Sequence, residues 1–360
     1  MPTDQVASFS IELTWYLDPD GRPLGPMPKF AANPADLAPL YRAMILARAF
    51  DAKAVALQRT GRLGTFASSL GQEAVGVGAA SAMAVDDVLV PSFRDQAAQL
   101  CRGVTPVELL LYWGGDERGS DFVGPRTDFP ISVPVASHVP HAAGVALAIK
   151  LRHEARATLC IIGDGATSKG DFYEALNVAG VWHLPLVVLI CNNQWAISVP
   201  RSAQSAAQTL AQKAIAAGIP GEQVDGNDVI AVRACVARAL ARARAGDGAS
   251  LIEALTYRLS DHTTADDARR YRDDAEVSTH WHGEPVARLR KYMIGQGVWS
   301  RDDEEQALAH AATEIDSAVA AYLAMPPQPI AAMFDYLFAK LPASLVAQRA
   351  LAIAEAAAHA

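Results

Sequence analysis

Residues 158–193 read TLCIIGDGATSKGDFYEALNVAGVWHLPLVVLICNN. Thr158–Ile162 and Leu186–Ile190 are rich in Val, Ile and Leu without polar alternation, the pattern of strands covered on both faces. Between them Asp171–Trp182 reads as a helix, so the stretch is a strand, a crossover helix and a second, parallel strand. Each strand runs into a polar cluster: Gly163-Asp164-Gly165 after the first and, past a gap of 26 residues, Asn192-Asn193 after the second. Ligands of open α/β sheets bind at the carboxyl ends of strands, and adjacent parallel strands bring Asp164 and Asn193 together although they are 29 positions apart. A carboxylate and an amide oxygen, completed by a backbone carbonyl and diphosphate oxygens, make the oxygen-only octahedral shell that Mg²⁺ prefers. The flanking glycines let the backbone approach phosphates. A lone GDG marks many tight turns; its pairing with NN at this spacing is the informative signal.

The same alternation extends outward. Val88–Val90 and Leu251–Leu255 are further strands, and helices are expected around Pro106–Trp113, Pro140–Arg152 and Val229–Ala245, with a loop from Gly114 to Pro130. Asn33 offers an N-cap with Pro34 at the first helical position, opening a long helix that ends near Gly61, although Pro39 pushes its start later. A second helix follows Gly71-Gln72-Glu73; its Gly76, Gly78, Ala79 and Ala80 invite close approach of another backbone. The fold class is α/β, a mostly parallel central sheet with helices on both faces. Residues 1–34 read as an extended arm, 35–275 as the ligand-binding domain, and 276–360 as a helical region with segments at Glu284–Gly295, Asp302–Leu323 and Pro342–Ala358.

Composition narrows the function. A chain of 360 residues, 51% hydrophobic and 19% charged, buries a large core. A formal charge of -8 without a Lys/Arg-rich run argues against a nucleic-acid partner, and Arg238, Arg242 and Arg244 read as a solvated helix face. No apolar stretch reaches the roughly 20 residues of a membrane span. Cys101, Cys160, Cys191 and Cys235 show no CxxC spacing, which suits reduced thiols; with no targeting segment at Met1–Asp18, a cytoplasmic location is expected. No GxGxxG opens a βαβ unit, so a dinucleotide-binding reading finds little support.

Gly163–Asp171 and Asn192–Ser198 (NNQWAIS) resemble the thiamine-diphosphate signature of the alpha subunit of the decarboxylating component of 2-oxo acid dehydrogenase complexes. Gly61–Gly64, the LGQEA of Leu70–Ala74, Arg94-Asp95, Thr209–Gly221 (TLAQKAIAAGIPG), Val224–Gly226 and Tyr257–Arg272 also have counterparts in that family. The Thr209–Gly221 stretch is most similar to bacterial pyruvate dehydrogenase alpha subunits; Val133–Pro140 is equally similar to branched-chain enzymes. The resemblance implies the thiamine-diphosphate-binding fold, with Mg²⁺ held by the side chains of Asp164 and Asn193 and the backbone carbonyl of Trp195. It places Gly163, Gly165 and Ala166 near the diphosphate, and Phe93 and Arg94 where the family has a Tyr-Arg pair on the phosphates. Losing the tyrosine hydroxyl removes a hydrogen bond of about 1 kcal/mol. Val133 is expected to meet the aminopyrimidine through its carbonyl and Val135 to prop the cofactor bent. His262 falls on an active-site loop near the diphosphate and the lipoyl entrance, as the candidate catalytic and cofactor-binding histidine.

Two departures stand out: Phe93 in place of tyrosine, and no histidine in Gly119–Phe129, where relatives carry one. His138 and His141 suit a cap or surface role as well as a site. The resemblance further implies an α₂β₂ heterotetramer in which the beta subunit supplies the glutamate that activates the cofactor, a lipoyl domain of the acyltransferase core as acceptor, and no bound NAD or FAD. The implied reaction is oxidative decarboxylation of a 2-oxo acid with reductive acylation of a lipoyl group. Pyruvate is the expected substrate, with branched-chain 2-oxo acids or acetoin as alternatives. A degenerate, non-catalytic partner subunit is the reading from another class.

Overall fold

The computed structural model describes residue 1 and residues 3–358. Six strands form a parallel sheet in the order β1 (Leu13–Thr14), β7 (Gly221–Asp225), β8 (Ser250–Leu255), β4 (Leu186–Asn192), β3 (Thr158–Gly163) and β2 (Val88–Val90). A short antiparallel hairpin, β5 (Trp195–Ala196) and β6 (Val199–Pro200), follows β4. Successive side chains of a strand face opposite sides, and both sides are buried here. Cys160, Ile162, Val188 and Ile190 pack with Ala142, Ala146, Ile149 and Phe172 of the helices His138–Leu151 and Gly170–Val181. Leu159, Ile161, Val187 and Leu189 pack instead with Val75 and Ala79 of the helix Glu73–Ser81 and Val232, Val236 and Leu240 of the helix Val229–Arg244. That two-sided burial is why these strands carry no polar alternation.

The small residues of Glu73–Ser81 are required by packing. A Cβ on Gly76 would come within 2.9 Å of the Ala97 Cβ, and one on Gly78 within 2.8 Å of Val232. Asn33 caps a 3-10 turn at Pro34–Leu37, and the α-helix proper runs Ala38–Arg59 with its proline in the first turn, where a missing N–H costs nothing. The opening segment is more than an extended arm: Leu13–Thr14 extends the sheet beside β7, and Leu17 and Ala31 are fully buried. Strand β7 escapes the hydrophobic pattern because its sequence is GEQVD, of which only Val224 is fully buried.

One expectation is corrected. Arg238 and Arg242 lie on an exposed face, but Arg244 turns inward and pairs with the fully buried Asp87. The four cysteines are free. The chain forms two compact units, Met1–Val319 and Ala320–Ala360; the second holds the helices Ala332–Asp335 and Ala343–Ala358, joined by an Arg349–Asp335 ion pair. Among the described residues no helix is long and apolar enough to cross a membrane.

Candidate active site

Register explains how residues far apart in sequence meet. Gly163 of β3 lies opposite Cys191 of β4, and Asn192 of β4 opposite Leu255 of β8. Asp164, Asn193 and Arg258 therefore leave the sheet at one edge, and Arg94 joins them from the carboxyl end of β2, which lies on the other side of β3. A cavity of about 190 Å³ opens there. Phe93, Arg94, Val135, Gly163, Asp164, Gly165, Ala166, Asn193, Trp195 and His262 all line it. Val133 does not, and is more than half exposed. A larger cleft of about 730 Å³, lined among others by Asp51, Ser68 and Thr263, contains none of Arg94, Asp164 or Asn193.

One wall presents oxygen. Burial raises the carboxyl pKa of Asp164, while Gln204 Nε2 donates to its Oδ2 at 2.9 Å. Asn193 donates its amide to Gln72 Oε1 at 3.0 Å, which fixes the amide orientation, and its Oδ1 accepts from the Trp195 N–H at 3.2 Å. The Trp195 carbonyl accepts from Arg258 at 3.3 Å, while its ring packs with Tyr257, Leu259 and Tyr271. A core aromatic and a carbonyl donor thus coexist in one residue. The backbone is strained around it, with Gln194 at φ 72° and the β-branched Ile197 at φ 56°. Left-handed non-glycine residues cost about 1–3 kcal/mol each and gather at functional sites. A Cβ on Gly165 would meet the Ala196 Cβ at 2.7 Å, so the hairpin packs directly on the turn. On Gly163 it would meet nothing within 4 Å, and no group of the chain explains that glycine.

Two guanidiniums stand near these oxygens, Arg94 in the cavity lining and Arg258 outside it at the Trp195 carbonyl. Arg94 is buried and donates to the Ser68 carbonyl, to the His262 carbonyl at 2.8 Å and to His262 Nδ1 at 3.1 Å. Arg258 is completely buried and donates to the carbonyls of Trp195 and Ile197 and to the Tyr271 hydroxyl, while its Nε lacks a partner. Among the described residues neither guanidinium forms an ion pair with a carboxylate. Burial first, and the charge of Arg258 second, bring Arg94 down to about 10. Burial, then Arg94 and Arg258, push His262 down to about 4. His262 is therefore neutral at physiological pH; with Nδ1 accepting from Arg94, the proton sits on Nε2. Phe93 meets this ring edge-on, centroids 5.9 Å apart, and offers no hydroxyl.

Several lining residues lie outside the set expected from sequence, Gln72, Asp95, Ser132 and Cys191, and His138, read there as a cap, surface or site residue, lines the cavity as well. Gln72 had a signal in the LGQEA motif. His138 Nε2 lies 2.9 Å from the Ile161 carbonyl, and burial lowers its pKa, as for a core histidine. The histidine-free segment Gly119–Phe129 is engaged structurally. Asp128 accepts from the Leu89 N–H and pairs with Arg102, and a Cβ on Gly119 would strike the Tyr112 backbone at 2.2 Å.

Oxygen donors with two buried guanidiniums nearby, neither in an ion pair among the described residues, fit a hard cation carrying a polyanion such as a diphosphate. An α/β chain so equipped could hold a metal and a phosphate group at the carboxyl edge of its sheet. Residues 41–330 match the family described as the dehydrogenase E1 component. The alpha subunit of 3-methyl-2-oxobutanoate dehydrogenase from Mycobacterium tuberculosis (strain ATCC 25618 / H37Rv) is 41% identical over 97% of this chain and 95% of its own. The pyruvate dehydrogenase E1 component subunit alpha of Mycoplasma genitalium is 36% identical over 93% of this chain and 94% of its own; that of Acholeplasma laidlawii is 41% identical over 77% and 81%. The chain belongs to the dehydrogenase E1 component family, as an alpha-type chain, and the family implies thiamine diphosphate as cofactor.

Proposed function

We propose that this chain is the alpha subunit of an α₂β₂ cytoplasmic enzyme that oxidatively decarboxylates a 2-oxo acid and passes the acyl group to a lipoyl group of an acyltransferase core. The observation that carries this reading is the pair of buried guanidiniums without carboxylate partners at the site: Arg94 lines the cavity together with Asp164, Asn193 and Trp195, and Arg258 donates to the Trp195 carbonyl. Within residues 35–275, Asp164 and Asn193 would hold Mg²⁺ through their side chains and Trp195 through its carbonyl. Gly163, Gly165 and Ala166 would give the diphosphate a close backbone seat, with Arg94 and Arg258 balancing its charge. Val135 would support the cofactor's bend and the carbonyl of Val133 its pyrimidine. Bound thiamine diphosphate supplies the carbon nucleophile and the electron sink for loss of CO₂. Neutral His262, which lines the cavity, would serve through its Nε2 proton as a donor to phosphate or to the entering acid. The carboxylate that activates the pyrimidine would come from the beta subunit; among the described residues the cavity is lined by Asp95 and Asp164 and by no glutamate.

Pyruvate is the substrate to test first. The 41% identity over almost the full length to a 3-methyl-2-oxobutanoate dehydrogenase alpha subunit supports that branched acid as a second reading. Titrating the co-purified alpha and beta chains with thiamine diphosphate and Mg²⁺ tests the site. Asp164→Ala is expected to weaken binding by about 100-fold, the value of a lost charged ligand, and unchanged binding would remove Asp164 from the metal site. Dye-reduction rates with pyruvate, 3-methyl-2-oxobutanoate and acetoin then rank the substrates; a pyruvate rate no better than the others rejects pyruvate.

A further inference from the structure

A second layer of polar contacts lies beside the Asp164–Ser168 turn, outside the cavity lining. Lys213 opens the short helix Lys213–Ala216 and is buried. Its Nζ donates to the Thr167 carbonyl at 2.7 Å and to Thr167 Oγ1 at 2.9 Å. Thr167 Oγ1 in turn donates to the Asp164 carbonyl at 2.8 Å. The ammonium also lies 5.2 Å from the ring centroid of Tyr173 and 5.9 Å from that of Phe172. Among the described residues no carboxylate pairs with it.

The segment that delivers Lys213 is itself anchored. Buried Glu253 on β8 accepts from the Leu210 N–H at 2.8 Å and the Ala211 N–H at 2.9 Å, and Thr209 and Gln212 close a local turn through their side chains. The connection thus runs from the middle of the sheet through Lys213 and Thr167 to Asp164. Burying an ammonium beside neutral acceptors alone is costly, and a buried charge lowers that cost when an anion docks nearby. The neighbouring turn, Gly163–Ala166, is where the proposed function seats a diphosphate.

We propose that Lys213 is a positioning residue for the cofactor: through Thr167 it locks the Asp164–Ser168 turn, and its unbalanced charge favours a metal diphosphate on that turn. The inference rests on the site reading given under Proposed function. Lys213 is not part of the cavity lining, so it would act through Thr167.

The test uses the co-purified alpha and beta chains, thiamine diphosphate with Mg²⁺ as probe, and tryptophan fluorescence as readout, since Trp195 lines the cavity. Lys213→Met is expected to raise the apparent Kd about tenfold or more, the weight of a hydrogen bond from a charged donor, with activity at saturating cofactor largely retained. Lys213→Arg should recover most of the affinity. Thr167→Val, which keeps the charge and the shape but cuts the side-chain link, should weaken binding by a smaller factor, and it decides the matter if Lys213→Met does not fold. Melting without cofactor separates packing from positioning: a variant that melts lower yet binds thiamine diphosphate as the wild type does overturns the proposal. Unchanged binding in Thr167→Val overturns the turn-locking role. Asp164→Ala, run alongside, tells the two failures apart. If it binds normally, the site reading itself fails; if it alone loses binding, only the role of Lys213 does.

Discussion

Arginines in ion pairs and arginines without them divide this molecule into two regions. In the framework four meet a carboxylate: Arg48 pairs with Glu73 and Glu284, Arg102 with Asp128, Arg244 with Asp87 and Arg288 with Asp225, while buried Arg272 donates instead to the carbonyls of Arg258 and Ser260. At the carboxyl edge of the sheet, Arg94 and Arg258 bond only to carbonyls, a hydroxyl and an imidazole. The paired framework charges are balanced within the chain, so their geometry is a matter of folding. Among the described residues Arg94 and Arg258 form no such ion pair, an arrangement suited to a counter-charge brought by a ligand, which would make their geometry a matter of binding. The framework should therefore respond to mutation in stability and the pocket in affinity.

The largest effect is expected in the framework. Arg102→Met leaves the Asp128 carboxylate, 2% exposed, with only the Leu89 N–H, and breaking a buried pair in this way costs about 3–5 kcal/mol. Urea denaturation would read it, with the loss the same whether or not thiamine diphosphate is present. A loss below about 1 kcal/mol would place this pair with weak surface bridges and erase the distinction.

In the pocket the pattern should invert. Arg94→Met gives up hydrogen bonds to Ser68 and His262 but also relieves the burial of a charge beside Arg258. Stability without cofactor should move by less than about 1.5 kcal/mol, while affinity for thiamine diphosphate with Mg²⁺ falls about 30- to 100-fold, as for a lost charge-assisted contact. Calorimetric titration beside an unfolding curve separates the two. A variant that loses several kcal/mol of stability and little affinity would move Arg94 into the framework.

The two regions were not equally legible. Strands β3 and β4 declare themselves because both faces are apolar, and with them the meeting of Asp164 and Asn193, which needs only that two parallel strands be neighbours. Strand β7 does not, since Gly221, Glu222 and Gln223 give no hydrophobic signal and the strand lies between the two-residue β1 and the interior β8. Arg258 could be quoted as part of a resembling segment, but its place at the Trp195 carbonyl follows from the register of β8 against β4, which sequence does not encode locally. Lys213 lay inside a quoted motif, yet its link to Thr167 spans 46 positions. For His262 the position was readable and the protonation state was not, because two of the charges that set it come from Arg94 and Arg258, brought in by separate strands.

That protonation state gives the smallest effect and the finest test of the pocket's electrostatics. The folded value of His262 is pushed down to about 4, below the ordinary histidine value of 6.5, so the unfolded chain binds this proton more tightly. The resulting stability is fully present above about 6.5 and is lost as pH falls toward about 4. Asp51 and Asp95, raised by burial to about 7 and about 6, act in the opposite sense over an overlapping range, so the slope of the wild type alone is ambiguous. Subtracting the pH dependence of His262→Gln removes their shared contribution. From pH 6.5 to 4.5 the wild type should lose more stability than the variant, by a small margin because the ring is partly exposed, and NMR titration of the imidazole should find its midpoint near the bottom of that range. A midpoint near 6.5 would mean that Arg94 and Arg258 are balanced by a charge within the chain after all, and the contrast between framework and pocket would collapse at its centre.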